Sequence, residues 1–226
     1  MEAVKPKRTL VEETYDILID ALCSGELSPG ERLNQDEIAA KLNVSRQPVN
    51  SAISILKANG LVEDTGRRSV VVKSFDTRLF HSIYEYRRVI EPFAVGLISK
   101  PLTEAQLRQA ERVLMAGQKA IKRGNLIALI RADMLFHEMI YTWSENLVIE
   151  SSMKTIWHHI RRSMAEVLRE PDAVEIVWEQ HAQIIAFLKL GQTENAAQVI
   201  RLHIDNAYQK LSRALTENRS DDKGNS

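Results

Sequence analysis

The chain of 226 residues is 44% hydrophobic and 27% charged, with 30 basic and 30 acidic side chains. This length suits one large or two modest domains, and this composition suits a globular protein with a sizeable core. The sequence has no apolar run of about 18 residues for a membrane span, and the segment MEAVKPKRTL lacks the apolar centre of a secretory signal. Because Cys23 is the single cysteine, no internal disulfide can form. We therefore expect a cytoplasmic protein that does not contact a membrane.

Capping residues mark the first two predicted helices. Thr9 and Glu12 form the Ser/Thr-x-x-Glu box that starts a helix, and Ser24-Gly25 ends it. After the turn-rich segment ELSPGERL, Asn34 caps a short second helix, Gln35 to Leu42.

A third helix begins at Ser45 and ends at Asn59-Gly60. Pro48 is tolerated because the first helical turn needs no partner for its missing N–H. The segments LVED and SVVVK then flank residues 65–68 as two strands of a hairpin. The order helix, helix, turn, helix, hairpin predicts a winged helix-turn-helix domain over residues 1–75.

The remainder of the chain is predicted to be helical, which makes the fold mainly α. We find six segments with helical spacing and no strand-like stretch: 76–99, 103–123, 125–143, 145–170, 173–190 and 193–216. Short links at Pro and Gly residues favour an antiparallel bundle over residues 76–218. The polar end, residues 219–226, is predicted to be a flexible tail.

The start of the third helix carries side chains that can read DNA. In a helix-turn-helix the second helix presents its first residues to the major groove, and here these are Ser45, Arg46, Gln47 and Asn50. Arg pairs with guanine and Asn or Gln with adenine. Further basic residues that can contact phosphates lie in the wing and the N-terminal arm: Arg67, Arg68, Lys5, Lys7 and Arg8. The alternative is a set of solvated surface charges, since acidic residues slightly outnumber basic ones in this module.

Three predicted bundle helices each direct ionisable side chains towards the core. Asp133 and His137 share one helix face, and His181 and His203 lie among apolar residues of two later helices. Each histidine by itself fits a core or interface position. Together, three imidazoles and one carboxylate suit a divalent metal such as Zn or Ni, provided that the helices converge.

Arg87 also lies on an apolar helix face, where a buried guanidinium needs an anion. Glu91 at i+4 is one partner, and a carboxylate ligand held by two hydrogen bonds is the other. Asn146, from its position alone, is a helix cap.

Two stretches resemble a known family of bacterial regulators. The run LSPGERLNQDEIAAKLNVSRQPVNSAISILKANGLVE is similar to the DNA-binding domain of the GntR family, and this resemblance supports Arg46 as a DNA contact. The chain departs from the family at Asn50, where Arg is usual, and at Ser69, where Gly is usual. A family operator sequence is therefore not transferable.

The segments IYEYRRVIEPFAVGL, DMLFHEMIYTWSEN and QHAQIIAFLKLGQTENAAQVIRLHI resemble the ligand-binding bundle of the FadR-type (FCD) branch. Six helices favour its shorter, VanR-like subgroup. The resemblance implies a metal held by Asp133, His137, His181 and His203, beneath a cavity in which Arg87 grips the effector and Asn146 lies nearby. It also implies a homodimer that binds operator DNA, most often as a repressor.

The leading hypothesis is a metabolite-responsive transcription regulator with a small organic acid as effector. The alternative is a metal-dependent hydrolase or oxidoreductase that acts on a small acid at the same His/Asp site. Against the alternative, the core stripe offers no additional base or nucleophile, and Glu138 projects about 100° away from its neighbour His137. A winged module that binds protein is a third hypothesis, which the polar cluster from Arg46 to Asn50 disfavours.

Overall fold

The computed structural model describes residues 9–66, 69–168 and 171–223. The chain divides into two compact units, Met1–Phe75 and Asp76–Ser226. None of the helices in the described ranges is both long and apolar enough to cross a membrane.

The first unit is a winged helix-turn-helix, as the sequence predicted. Its helices are α1 (Leu10–Ser24), α2 (Gln35–Leu42) and α3 (Arg46–Ala58), and its strands are β1 (Arg32–Leu33), β2 (Val62–Asp64) and β3 (Val70–Val72). The strands form an antiparallel sheet in the order β1-β3-β2. The strand β1 was not predicted because it has only two residues, and its pairing with distant β3 leaves no local pattern.

Local geometry shapes the turn between the two helices of the helix-turn-helix motif. Asn43 adopts a left-handed conformation with φ of 53°, which Asn tolerates better than most residues, and it ends α2. Ser45 is the N-cap of α3, two residues later. Helix α3 then buries Val49, Ile53 and Leu56 in the core of this unit. The opposite face of α3 is left for solvent or a partner.

The second unit consists of six helices in its described part, in agreement with the prediction. They are α4 (Thr77–Leu97), α5 (Glu104–Lys122), α6 (Leu126–Trp143), α7 (Leu147–Val167), α8 (Pro171–Lys189) and α9 (Thr193–Lys223). The helix α9 continues to Lys223, past the predicted end at residue 216 and into the predicted tail of 219–226. No glycine or proline interrupts it before Gly224.

The packing of the bundle brings α4, α6, α8 and α9 together. Helix α4 packs mainly on α9, α5 on α6, and α8 on α9. The contact of α5 with α8 depends on Gly117, because the indole of Trp178 lies over it and donates a hydrogen bond of 2.9 Å to the Leu114 carbonyl. The position of α8, and of the side chains on it, is thus set by a glycine.

We expect Gly117→Ala to destabilise the protein by about 1–3 kcal/mol, because overpacking a filled core displaces its neighbours. An added Cβ would lie 1.5 Å from Cζ2 of Trp178. Chemical denaturation followed by circular dichroism measures the change. Gln118→Ala, at the exposed next position of α5, is the matched control and should leave the free energy of unfolding nearly unchanged. An equal effect of both variants would contradict this packing.

Candidate metal centre and nucleic-acid interface

Three helices bring four metal-ligating side chains to one point inside the bundle. Asp133 and His137 lie one turn apart on α6, His181 lies on α8 and His203 lies on α9. One ligand atom from each lies within 4.8 Å of the others. All four residues are at most 1% exposed. The convergence that the sequence hypothesis required is therefore present.

The ligand atoms of this cluster face one another without hydrogen-bond partners. Asp133 Oδ1 is 3.6 Å from His181 Nε2 and 4.0 Å from His137 Nε2. Among the described residues, several buried atoms have no hydrogen bond: both carboxylate oxygens of Asp133, both ring nitrogens of His181, and Nε2 of His137 and of His203. Each buried unpaired group costs about 1–3 kcal/mol, so this arrangement needs a bound species to offset the cost.

Neighbouring side chains fix which nitrogen of two imidazoles faces the cluster. Nδ1 of His137 donates to Glu91 Oε2 at 2.7 Å, and Nδ1 of His203 donates to Gln180 Oε1 at 3.2 Å. Each acceptor places the proton on Nδ1 and leaves the lone pair on Nε2. Metal-ligating histidines are usually oriented by such outer hydrogen bonds.

Burial favours the neutral form of two of the imidazoles, those of His181 and His203. It lowers the pKa of His181 well below the usual value, as do the neighbouring His203 and His137. The pKa of His203 is also well lowered by burial, and by His137 and Arg87. Burial raises the pKa of Asp133, against the attraction of His137 and Arg87. Neutral imidazoles around a buried carboxylate are the donor set of a transition-metal ion, so the residues present fit such an ion.

Arg87 lies beside this cluster and is completely buried. Its Nε donates to Glu91 Oε1 at 2.5 Å, so the i,i+4 pair considered from the sequence is present. Its terminal nitrogens, Nη1 and Nη2, have no hydrogen-bond partner in the described part of the chain. The ion pair thus leaves the outer edge of the guanidinium for a second anion, and the two sequence interpretations are compatible.

Glu91 binds Arg87 and His137 at the same time. Burial alone would raise the pKa of this carboxyl, but Arg87 and His137 lower it well below the usual range. Burial would likewise lower the pKa of Arg87, and Glu91 instead raises it above the usual value. Glu91 is therefore ionised, and Arg87 is protonated.

Asn146 has a structural role as the N-cap of α7. Its Oδ1 accepts hydrogen bonds of 3.1 Å from the backbone amides of Val148 and Ile149. This is the cap that its sequence position indicated, and its contact with an effector stays a prediction.

The predicted DNA-reading residues share the exposed face of α3. Ser45, Arg46, Gln47 and Asn50 are exposed, and Pro48 and Val49 between them are buried. Ser45 makes no side-chain capping bond, which leaves its hydroxyl for another acceptor or donor. Nε of Arg46 lies 2.9 Å from Oδ1 of Asp36 in an exposed ion pair. Exposed pairs of this kind contribute little to stability, so Asp36 holds this guanidinium only weakly.

Arg32 is a basic residue of this surface that the sequence interpretation missed. It lines a polar groove of about 470 Å³ together with Arg46 and Ser69, and its Nη2 donates to Ser69 Oγ at 2.9 Å. Only the pairing of β1 with β3 brings Arg32 to the wing, so no local signal marked it. The other predicted contacts lie outside the described residues: Arg67, Arg68, Lys5, Lys7 and Arg8.

Glu91 and Gln180 accept hydrogen bonds from histidines of the cluster. The sequence did not reveal these two contacts. Glu91 was visible as a neighbour of Arg87, whereas its bond to His137 spans 46 positions. The bond from His203 to Gln180 spans 23 positions. Contacts at such separations have no periodic signature.

Comparison with known proteins matches both units. "Bacterial regulatory proteins, gntR family" matches residues 10–72, and "FCD domain" matches residues 82–206. The chain is 26% identical over 206 residues to the uncharacterized HTH-type transcriptional regulator YdhC of Bacillus subtilis, covering 91% of this chain and 92% of that protein. It is 22% identical to the HTH-type transcriptional repressor RspR of Escherichia coli, with 95% and 94% covered.

A solved structure has the same fold. The structure of E. coli McbR/YncC aligns with a TM-score of 0.79 at 21% identity, covering 92% of this chain and 100% of that one. The relatives are transcription regulators, so the alternative of a metal-dependent enzyme is set aside. The chain belongs to the GntR family of bacterial regulatory proteins, with an FCD domain after its DNA-binding domain.

Proposed function

We propose that this regulator is a cytoplasmic homodimer that represses its target genes until a small organic acid binds to a metal-containing site in the bundle. The observation that carries the proposal is the buried cluster of unpaired ligand atoms beside the unpaired edge of Arg87. The name of the relative RspR as a repressor supports the direction of control.

The metal would be held by Asp133, His137, His181 and His203. We propose zinc first and nickel second, because both accept several imidazoles with a carboxylate. When bound, such an ion supplies a positive charge and an open coordination position for an acid oxygen. The protein supplies orientation through Glu91 and Gln180, which hold the outer nitrogens of two histidines.

Arg87 would bind the carboxylate of the effector. Its two unpaired nitrogens, Nη1 and Nη2, form the edge of the guanidinium that grips a carboxylate with two hydrogen bonds. Glu91 holds Nε and therefore fixes the plane of the group. Asn146 near the start of α7 remains a candidate for a further polar contact.

Operator DNA would be read by the exposed start of α3. Ser45 and the first amides of α3 can bind a phosphate, and Arg46, Gln47 and Asn50 can reach base edges. Arg32, Arg67 and Arg68 would add phosphate contacts. A coupling of about 1–3 kcal/mol between effector and operator would change DNA affinity about 5–150-fold.

The dimer would pair through an apolar stripe on α4. Leu79, Tyr86, Val89, Phe93 and Leu97 are 37–65% exposed. They recur at spacings of seven, three and four residues, which place them on one side of the helix. The other side of α4 is buried against α9 and α7. A helix that is apolar on both sides is suited to a second helix, and a two-fold axis would supply it from an identical chain.

Arg46→Ala should weaken binding to the operator at least about tenfold, because a bidentate Arg–guanine pair contributes about 1–3 kcal/mol. Footprinting of DNA upstream of its own gene cluster measures this. Arg108→Ala, an exposed bundle arginine paired with Glu104, is the control and should leave the footprint unchanged. Equal protection by wild type and Arg46→Ala would contradict the assignment.

Purified protein should contain about one transition-metal ion per chain, since the cluster offers one set of four ligands. His181→Ala should lower the metal content and the rise in melting temperature on adding zinc. His158→Ala removes a histidine outside the cluster and should retain both. If metal-free wild type binds its acid with unchanged affinity, the metal has no part in effector binding.

Val89→Glu should convert the dimer into monomers, because it places a charge in the middle of the α4 stripe. Sedimentation velocity should give twice the chain mass of 25.7 kDa for wild type and that mass for the variant. The control Met115→Glu alters a residue on α5 that is 67% exposed and lies outside the stripe. A dimeric Val89→Glu would place the interface elsewhere.

A further inference from the structure

The three imidazoles of the cluster differ in how their rings are held. His137 donates a hydrogen bond from Nδ1 to Glu91, and His203 donates one from Nδ1 to Gln180. His181 has no such bond, because both of its ring nitrogens are buried and neither is hydrogen-bonded to a described residue. Metal-ligating histidines are usually oriented by an outer hydrogen bond, so His181 needs another means of orientation.

Two aromatic side chains pack against the ring of His181. The ring of Phe136 is stacked on it, with centroids 3.8 Å apart and an angle of 15° between the planes. The indole of Trp178 meets it edge-on, with centroids 4.9 Å apart and an angle of 65°. Both aromatic residues are buried. Packing therefore fixes the plane of the His181 ring.

Phe136 belongs to the same helix as two members of the cluster. It lies on α6, three residues after Asp133 and directly before His137. From this helix it reaches the ring of His181 on α8. In the stacked position, Nε2 of His181 is 3.6 Å from Oδ1 of Asp133. Turning the imidazole out of its plane would break the stack and carry Nε2 away from this carboxylate.

The stack also suits an imidazole that binds a cation. The face of an aromatic ring is electrostatically negative, and it attracts positively charged groups. A metal ion draws electron density out of the imidazole to which it is bound. The face of Phe136 therefore attracts the ring of His181 more strongly when that ring is a metal ligand.

We propose that Phe136 is a positioning residue for the metal, and that its stacked ring replaces the outer hydrogen bond that His181 lacks. The inference rests on the metal centre of the proposed function and adds a residue that acts through one of its ligands. A flat ring is required for this role. Leucine would fill much of the same volume, but it has no face on which an imidazole can stack.

The zinc affinity of the full-length protein, measured by competition with a chelator, tests the inference. Phe136→Leu should weaken zinc binding about 10–100-fold, which is the usual effect of removing a group that orients a metal ligand. Phe80→Leu is the matched control, since Phe80 is also buried and its ring packs against His81, Tyr84 and Tyr208. Both variants should lower the melting temperature of the metal-free protein, but Phe80→Leu should bind zinc as wild type does.

Two further backgrounds separate an effect through His181 from a general effect on the core. In His181→Ala, adding Phe136→Leu should leave the zinc affinity nearly unchanged, because there is no imidazole for Phe136 to hold. In His203→Ala, adding Phe136→Leu should again weaken zinc binding about 10–100-fold, because His181 is still present.

Cobalt(II) gives an independent spectroscopic readout. Its visible absorption depends on the number and the geometry of its ligands. The spectrum of cobalt-loaded Phe136→Leu should move from that of wild type towards that of His181→Ala, whereas Phe80→Leu should keep the wild-type spectrum.

The outcomes that overturn the inference differ in what else they overturn. If Phe136→Leu binds zinc as tightly as wild type, or loses the same factor with and without His181, the positioning role is wrong and the metal centre stands. If wild type binds neither zinc nor cobalt, the metal centre of the proposed function is overturned together with the inference.

Discussion

The bundle interior depends on the carboxylate of Glu91. It compensates the buried charge of Arg87 through Nε, and it fixes the tautomer of His137 through Nδ1. Removing one partner of a buried ion pair leaves the other charge uncompensated, at a cost of about 3–5 kcal/mol. By accepting from Nδ1, the Glu91 carboxylate turns Nε2 of His137 towards Asp133. By accepting from Nε of Arg87, it leaves Nη1 and Nη2 of that residue unpaired. One carboxylate thus orients both the His/Asp cluster and the guanidinium beside it.

A folded protein with so many unpaired polar atoms in its core gives up stability. The cost of about 1–3 kcal/mol for each such atom is large beside a typical net stability of about 5–15 kcal/mol. A species that binds only the folded state restores this lost stability by mass action. Under the proposed function, the stability of the bundle and its occupancy by a ligand would therefore be linked. In that proposal, the same linkage would allow an effector to change operator affinity.

The exposed face of α3 follows a different rule, because its polar side chains are in contact with solvent and need no buried partner. The caps at Asn34 and Ser45 and the left-handed turn at Asn43 are local, so the sequence predicted the helix-turn-helix motif. The role of its exposed residues in reading DNA stays a prediction. Arg32 was missed, since its place beside Arg46 depends on a strand of two residues that pairs across the sheet. The six helices of the bundle were predicted for the same local reason, through their periodicity and their breakers.

The sequence alone determined the kinds of chemistry in this protein: a carboxylate and three imidazoles on apolar helix faces, and an arginine one turn from a glutamate. Their spacing within each helix follows from the helical repeat, which is a local property. Only the tertiary structure decided that His137, His181 and His203 meet, which nitrogens face inward, and which donors stay unpaired. These features depend on contacts between helices far apart in the chain, and such contacts are set by packing, as at Gly117 under Trp178.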